Sequence, residues 1–379
     1  MFHSLFLLTG ILLLLCYSVL ILYYRKAWFG IPAFRVEKGF QPKTRITLCI
    51  AARNEEAEIG PLLQDIQKQY YPSSLMEVIV VDDFSEDRTA SIAKSFPWVR
   101  CLSLSDWPGF DAQEANKKKG ISLAIAESSG ELIVCTDADC RMGPYWLLSL
   151  VSFYEKHRPV CMAAPVLYTN VTGILSTFQS LDFSMMQAIT AATVESSSGS
   201  MCNGANLAYT RRAWDQVGGY AGISQIASGD DMLLMHKMEM EFPGRTRWIR
   251  CMEAVVWTRA QQSIRGFLNQ RIRWASKSLH YRDRKIQWVL LLVYLFNLYL
   301  AGLGFLLFWK DWYGFEWLLF LSLKTIVEMS LLWPFARFSG KEKELWYFPL
   351  LQPLHILYIL YSGLRGLTGS YEWKQRTVR

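Results

Sequence analysis

At 379 residues, with 51% of them hydrophobic and a formal net charge of +7, the chain is long enough for two domains and more apolar than most soluble proteins. Its eight cysteines are scattered without a CxxC pair, which argues against a disulfide framework or a zinc site and suits small core residues in a reducing compartment. The basic residues Arg265, Arg271, Arg273, Arg282, Arg284 and Lys285 flank apolar segments, so the positive balance fits an anionic membrane surface or a phosphate-bearing substrate better than nucleic acid.

The first predicted element is the stretch from Phe2 to Tyr24, which lacks Asp, Glu, Lys and Arg and is long enough to cross a hydrocarbon core of roughly 30 Å as a helix. Arg25 and Lys26 follow at once, which places the next part of the chain in the cytoplasm and the N-terminus outside. No basic start and no small-residue cleavage site accompany this stretch, so residues 1–26 read as an uncleaved transmembrane anchor.

Residues 43–260 read as an α/β catalytic domain. The runs "RITLCIAA" (45–52), "MEVIVVDD" (76–83) and "ELIVCTDA" (131–138) are nearly continuous and apolar, as strands of a parallel sheet buried on both faces must be. "EIGPLLQDIQKQ" and "KGISLAIAESS" between them have helical spacing, so the segment predicts a doubly wound sheet with its ligands beyond the carboxyl ends of the strands.

All three strands end in polar residues: Arg53, Asn54, Glu55 and Glu56, then Asp82 and Asp83, then Asp137 and Asp139. Carboxylates gathered this way repel unless a cation, a basic partner or the solvent of a turn offsets them, and hard oxygen ligands suit Mg²⁺ or Mn²⁺. The Asp-Ala-Asp spacing sends Asp137 and Asp139 to the same side of an extended segment, so one can face a substrate while the other holds the metal. Lys117 and Lys118 in "NKKKG" open a helix and can attract a diphosphate, or can form an exposed basic loop. In "SGDDMLL", Asp230 and Asp231 precede an apolar helix, where they can cap it or act as a general base. "QRIRWASK" sets Arg271 and Arg273 beside Trp274, a combination suited to diphosphate and sugar stacking or to an interfacial anchor.

Residues 261–286 then read as an interfacial segment and residues 287–370 as C-terminal transmembrane helices, with apolar stretches at about 287–308, 312–335 and 345–367. Lys324 and Glu328 in the second stretch are spaced to neutralise each other. One span before the α/β domain and three after it would leave the tail outside, whereas Arg365, Lys374, Arg376 and Arg379 ask for the inside. The conflict points to an interfacial or re-entrant course for one C-terminal segment, with the last, which contains Pro349 and Pro353, as the candidate.

Together these stretches resemble the membrane-bound family-2 glycosyltransferases, inverting enzymes with a nucleotide-sugar-binding GT-A fold. The resemblance runs from about Arg45 to Lys277 through "AARNEEAEI", "VVDDFSEDRT", "TDADC", "SGDDMLL" and "QRIRW", in the family's order. The last of these is similar to the branch that includes cellulose, chitin, hyaluronan and poly-N-acetylglucosamine synthases and ceramide glucosyltransferases. It implies donor-nucleotide contacts from Ala51, Arg53 and Glu55 with Asp82 or Asp83, and diphosphate contacts from Lys117 and Lys118. It also implies that Asp137 faces the donor, that Asp139 binds the metal and that Asp231 is the base beside Asp230. Gln270, Arg271, Arg273 and Trp274 would line the acceptor and diphosphate sites, with Asn203, Gly204 and Asn206 of "CNGAN" near the acceptor. Asn116 and Gly120 depart from the family pattern, as does the single span before the catalytic region.

The implied activity is transfer of a sugar from a nucleotide-diphosphate-sugar, a UDP-sugar first, to a growing polysaccharide or a lipid. A divalent metal is the implied cofactor, and nucleic acid is not an implied partner. The implied location is an integral membrane protein, in the cytoplasmic membrane if bacterial, with its catalytic domain facing the cytoplasm. Two rival readings are a nucleotidyltransferase acting on sugar phosphates and a non-catalytic membrane partner that binds nucleotide-sugar. The first leaves "QRIRW" and the apolar helices without a role, and the second leaves Asp137, Asp139 and Asp231 without one.

Overall fold

The structure is a computed structural model that describes residues 2–108, 117–197, 201–224, 229–276, 283–307, 310, 312–368, 371–373 and 376–378. Asn116, Ser228, Lys277, Arg282, Lys374 and Arg379, named above, lie outside the described residues.

Helix α1 (Phe2–Gly30) is followed by β1 (Ile46–Ala52), α2 (Ile59–Gln67), β2 (Met76–Asp82), α3 (Thr89–Lys94), β3 (Val99–Ser103), α4 (Lys117–Ala126) and β4 (Leu132–Cys135). Next come β5 (Arg141–Met142), α5 (Trp146–His157), β6 (Cys161–Ala163), β7 (Val166–Thr169), α6 (Ile174–Glu195), β8 (Leu207–Thr210) and α7 (Arg211–Gln216). The chain continues through α8 (Met232–Glu241), β9 (Thr246–Trp248), β10 (Val256–Arg259), α9 (Ile264–Ser276), α10 (Arg284–Leu306), α11 (Trp312–Ser339) and α12 (Phe348–Thr368). A hairpin of β11 (Tyr371–Trp373) and β12 (Arg376–Val378) follows.

The expected doubly wound sheet forms with seven strands in the order β3-β2-β1-β4-β8-β6-β9. Strands β3, β2, β1 and β4 are parallel, and β8 runs antiparallel to both β4 and β6, so the sheet is mixed. The apolar runs are continuous because alternate residues feed two cores. Cys49, Ile79, Val81 and Ile133 pack toward Ile121 and Ala124 of α4, whereas Leu48, Ile50, Val80 and Val134 pack toward Leu62 and Leu63 of α2 and Trp146 of α5. Strand β1 pairs β2 on one side and β4 on the other, so the strand order reverses beyond β1 and leaves a crevice at the carboxyl ends of β1 and β4.

A second sheet, β5-β10-β7, holds the chain just after Asp139. There Arg141 Nε donates to Asp65 Oδ2 at 2.6 Å and ties that segment to α2.

Among the described residues, three helices are long and apolar enough to cross a membrane: His3–Gly30, Arg284–Leu306 and Trp312–Ser339. Helices α1 and α11 run parallel, because His3 meets Trp312 and Tyr313, Tyr17 bonds Glu328, and Trp28 packs on Phe335 and Phe338. Trp28 also stacks beneath Arg250 and against Trp248 of β9, which docks the end of α1 on the sheet edge. The Lys324–Glu328 pair forms at 2.7 Å, both side chains buried. The third expected C-terminal span forms as α12, but Gln352, His355, Arg365 and two prolines keep it apart from the three apolar helices.

Candidate active site

The strand-end loops hold one another. The Asn54 amide donates to Ser85 Oγ at 3.0 Å, its Oδ1 accepts from the Glu86 amide at 2.9 Å, and the Glu55 amide donates to Thr89 Oγ1 at 2.7 Å. Arg53 Nη1 donates to the carbonyls of Asp83 at 2.9 Å and Phe84 at 3.0 Å. Asn54 and Phe84 both take left-handed φ values, 50° and 52°, which turns each loop sharply off its strand.

Beyond these loops lies a cavity of about 1080 Å³. Of the donor-side residues expected from the sequence, Ala51, Arg53, Glu55, Asp83, Lys117, Asp137 and Asp139 line it. Of the acceptor-side set, Asn203, Gly204, Asp230, Asp231, Gln270, Arg271, Arg273 and Trp274 line it too.

Three expected residues do not line the cavity. Asp82 is buried in register with Ala52, and its Oδ2 accepts from the Ser85 amide at 3.2 Å, a loop-forming role; Asp83, one residue later, lines the cavity instead. Lys118 is buried and its Nζ donates to the Ile223 carbonyl at 2.8 Å, because neighbouring helical residues diverge by about 100°. Asn206 is buried, donates to the carbonyls of Pro165 and Ala254 at 2.8 Å each, and accepts from Trp146 Nε1 at 3.0 Å, which makes it a strut between strands.

The charged centre is built around Lys117. Its Nζ lies 2.5 Å from Asp137 Oδ1 and 3.0 Å from Asp230 Oδ2. Burial alone would lower the pKa of this ammonium, but the Asp137, Asp230 and Asp231 charges reverse that and hold it well above the usual lysine value. Asp231 caps α8, accepting from the Met232 amide at 2.7 Å through Oδ1 and from the Gly204 amide at 3.1 Å through Oδ2. Gly204 is required by close approach: a Cβ there would sit 2.9 Å from Lys117 Nζ and 3.1 Å from Asp230 Oδ2. Asn203, with its Oδ1 accepting from the Ala205 amide at 3.0 Å, sets this turn.

The donor set beside Asp137 suits a hard divalent cation. Ligand atoms of Asp137, Asp139 and Cys140 lie within 4.8 Å of one another. Cys140 is buried, and burial with the adjacent Asp139 and Asp137 charges pushes its thiol well above the usual range, so it stays protonated. Two carboxylates remain, the number that Mg²⁺ or Mn²⁺ uses when phosphate oxygens complete the shell.

Helix α9 carries three arginines, of which Arg271 and Arg273 line the cavity. Arg271 is buried, with Nε and Nη2 at 2.9 and 2.7 Å from Asp182 Oδ2, and lies over the rings of Phe267 at 4.7 Å and Trp274 at 4.3 Å. Burial opposes its charge, but Asp182 outweighs burial and holds the guanidinium above its usual pKa. Its Nη1 donates to Gln270 Oε1 at 2.7 Å, which orients that amide. Asp182 on α6, also bonded by Tyr358 of α12, is a positioning residue that sequence reasoning missed; its one signal was a lone acid inside the apolar run "SLDFSMM".

Residues 47–218 match the sequence family described as Glycosyl transferase family 2. The chain carries a family-2 glycosyltransferase domain. It is 24% identical over 359 residues to a beta-monoglucosyldiacylglycerol synthase of Synechocystis, an alignment covering 88% of this chain and 66% of that protein. A beta-monoglucosyldiacylglycerol synthase of Trichormus variabilis is 30% identical over 118 residues, 30% of this chain and 24% of the relative. The chain thus spans from about a quarter to two thirds of the length of these relatives. A mannosyltransferase from Pyrobaculum calidifontis, solved in complex with GDP-Man and Mn²⁺, superposes with a TM-score of 0.59 at 19% identity, covering 91% of this chain and 98% of that one. The architecture of this family-2 domain is therefore GT-A.

Proposed function

We propose that this family-2 domain catalyses inverting transfer of a sugar from a nucleotide-diphosphate-sugar to a membrane lipid. The observation that carries this reading is the cavity itself. It joins Asp137, Asp139 and Asp231 at one end to Leu20, Val289, Val293, Leu351 and Ile359 of helices α1, α10 and α12 at the other. An acceptor with an apolar body and a hydroxyl head fits that gradient, and the names of the diacylglycerol-glycolipid synthases above agree with it.

In this mechanism Ala51, Arg53, Glu55 and Asp83 bind the nucleoside, and Asp137 faces the sugar diphosphate. Asp139 with Asp137 would hold the divalent ion, which supplies positive charge to the diphosphate when bound. Asp231 is held by two backbone amides, keeps its carboxylate fixed and accepts the proton of the acceptor hydroxyl. That oxygen forms a bond to the anomeric carbon as the bond from this carbon to the diphosphate oxygen breaks. The electron pair leaves with the nucleoside diphosphate, assisted by Lys117 and Arg273. Attack from the face opposite the leaving group inverts the configuration. Gln270 and Trp274 hold the acceptor side.

The orientation proposed is that α1, α10 and α11 cross the membrane with the GT-A domain in the cytoplasm, supported by Arg25 and Lys26 after the first span. The test is to incubate the full chain in lipid vesicles with a panel of nucleotide-sugars and measure nucleoside diphosphate with and without EDTA. A metal-dependent release coupled to one discrete glycolipid is expected. Long chains would replace the lipid acceptor by a polysaccharide, and pyrophosphate release would replace the reaction class.

A further inference from the structure

We infer that α12 does not cross the membrane but lies within the leaflet on the catalytic side, its leucine stripe seated among lipid acyl chains. Leu350, Leu354, Leu357, Tyr361, Leu364 and Leu367 recur every three or four residues along one face and are 48% to 75% exposed. The opposite face is packed: Tyr358 meets Phe267 of α9 at 5.3 Å, and added Cβ atoms at Gly363 and Gly366 would sit 2.9 Å from Tyr294 of α10 and 2.8 Å from Ala275 of α9.

The start of the helix lies beside the GT-A domain and its end beside α9. Just before it, Lys341 Nζ donates to the Tyr168 carbonyl of β7 at 2.9 Å and to Ser180 Oγ of α6 at 2.7 Å. Near its end, Gly366 abuts Ala275 and Ser276, the last residues of the helix that carries Gln270, Arg273 and Trp274. A helix of 21 residues, about 30 Å long, that starts and finishes on one face of the membrane cannot span it.

Lipid is the occupant the surroundings favour. The stripe continues the exposed apolar surface of the spanning helices, Leu291, Leu295 and Leu298 on α10 and Leu319, Leu323 and Ile326 on α11. Trp346 and Tyr347, both exposed, stand at its start, where aromatic rings favour the headgroup level. Gln352 also reaches Lys324 in the middle of α11 at 2.7 Å, which sets α12 below the headgroups rather than above them. This course returns the chain after α12, with β12 and its Arg376, to the cytoplasmic side, as the positive-inside tendency asks.

The experiment uses the full chain in sealed phosphatidylcholine–phosphatidylglycerol vesicles, with a membrane-impermeant maleimide and single-cysteine variants in a cysteine-depleted background. Thr377→Cys is expected to label with Lys38→Cys, on the GT-A side, and oppositely to Lys310→Cys, between α10 and α11. Nitroxides placed at Leu350, Leu357 and Leu364 should report one nearly constant depth with high oxygen and low aqueous-reagent accessibility. Labelling of Thr377→Cys together with Lys310→Cys, or a depth that passes through the bilayer centre, would overturn the inference. So would low accessibility to both reagents along the stripe, which would mean that a second copy of the chain covers it. None of these readouts involves sugar transfer, so their failure and the failure of the proposed activity are separable.

Discussion

The two ends of the cavity both contain charge, and they handle it in opposite ways. At the end lined by the apolar helices, Glu328 accepts from Lys324, Tyr17 and Gln352, and Gln352 in turn accepts from Lys324, so one cation and one anion are matched and buried among α1, α11 and α12. At the GT-A end, Lys117 faces Asp137 and Asp230, with Asp231 and Asp139 beside them, and the carboxylates outnumber the lysine. A balanced, buried cluster fixes helices in place, whereas an anionic excess along a cavity wall is suited to a cation and to the proton of a substrate.

If this contrast is right, substitutions at the two ends should fail differently. Apart from loss of the proton acceptor Asp231 itself, the largest effect belongs to Asp139→Ala, which should lower nucleoside diphosphate release by about 10²–10³-fold and make the remainder insensitive to EDTA, with thermal unfolding unchanged. Glu328→Leu should do the reverse, costing about 3–5 kcal/mol of stability by leaving Lys324 charged in the interior, as unfolding in detergent micelles would register. The double variant Lys324→Met/Glu328→Leu should recover most of that loss; if it does not, the cluster is more than a fastening between helices. Gly204→Ala should give the smallest change, a loss of turnover of up to about a hundred-fold from displacing Lys117 and Asp230, with little change in expression. Unaltered kinetics there would show that the packing of these groups is not needed.

The sequence disclosed what local pattern encodes. Strands β1, β2 and β4 stood out as apolar runs because they are buried on both faces, and their carboxylate ends marked the crevice. Strand β3 did not stand out, since "VRCLS" is a half-buried sheet edge interrupted by the exposed Arg100. Where two similar residues are neighbours, pattern could not divide them. Asp82 and Asp83, Lys117 and Lys118, and Arg271 and Arg273 differ in which way a strand end or a helix turns them, and that depends on packing from distant elements. Asp182 is 89 residues from Arg271, so no local spacing announces their pair. The course of α12 was likewise undecided by hydropathy and is set by contacts at its two ends with β7, α6 and α9.

The most direct test of the account is nucleoside diphosphate release by Asp231→Asn against the unaltered chain, in vesicles containing lipid acceptor and the active nucleotide-sugar. Asparagine still caps a helix, so α8 should remain folded while the proton acceptor is lost. A fall of about 10²–10⁴-fold in glycolipid formation is expected, with donor binding retained. Undiminished turnover by Asp231→Asn would contradict it.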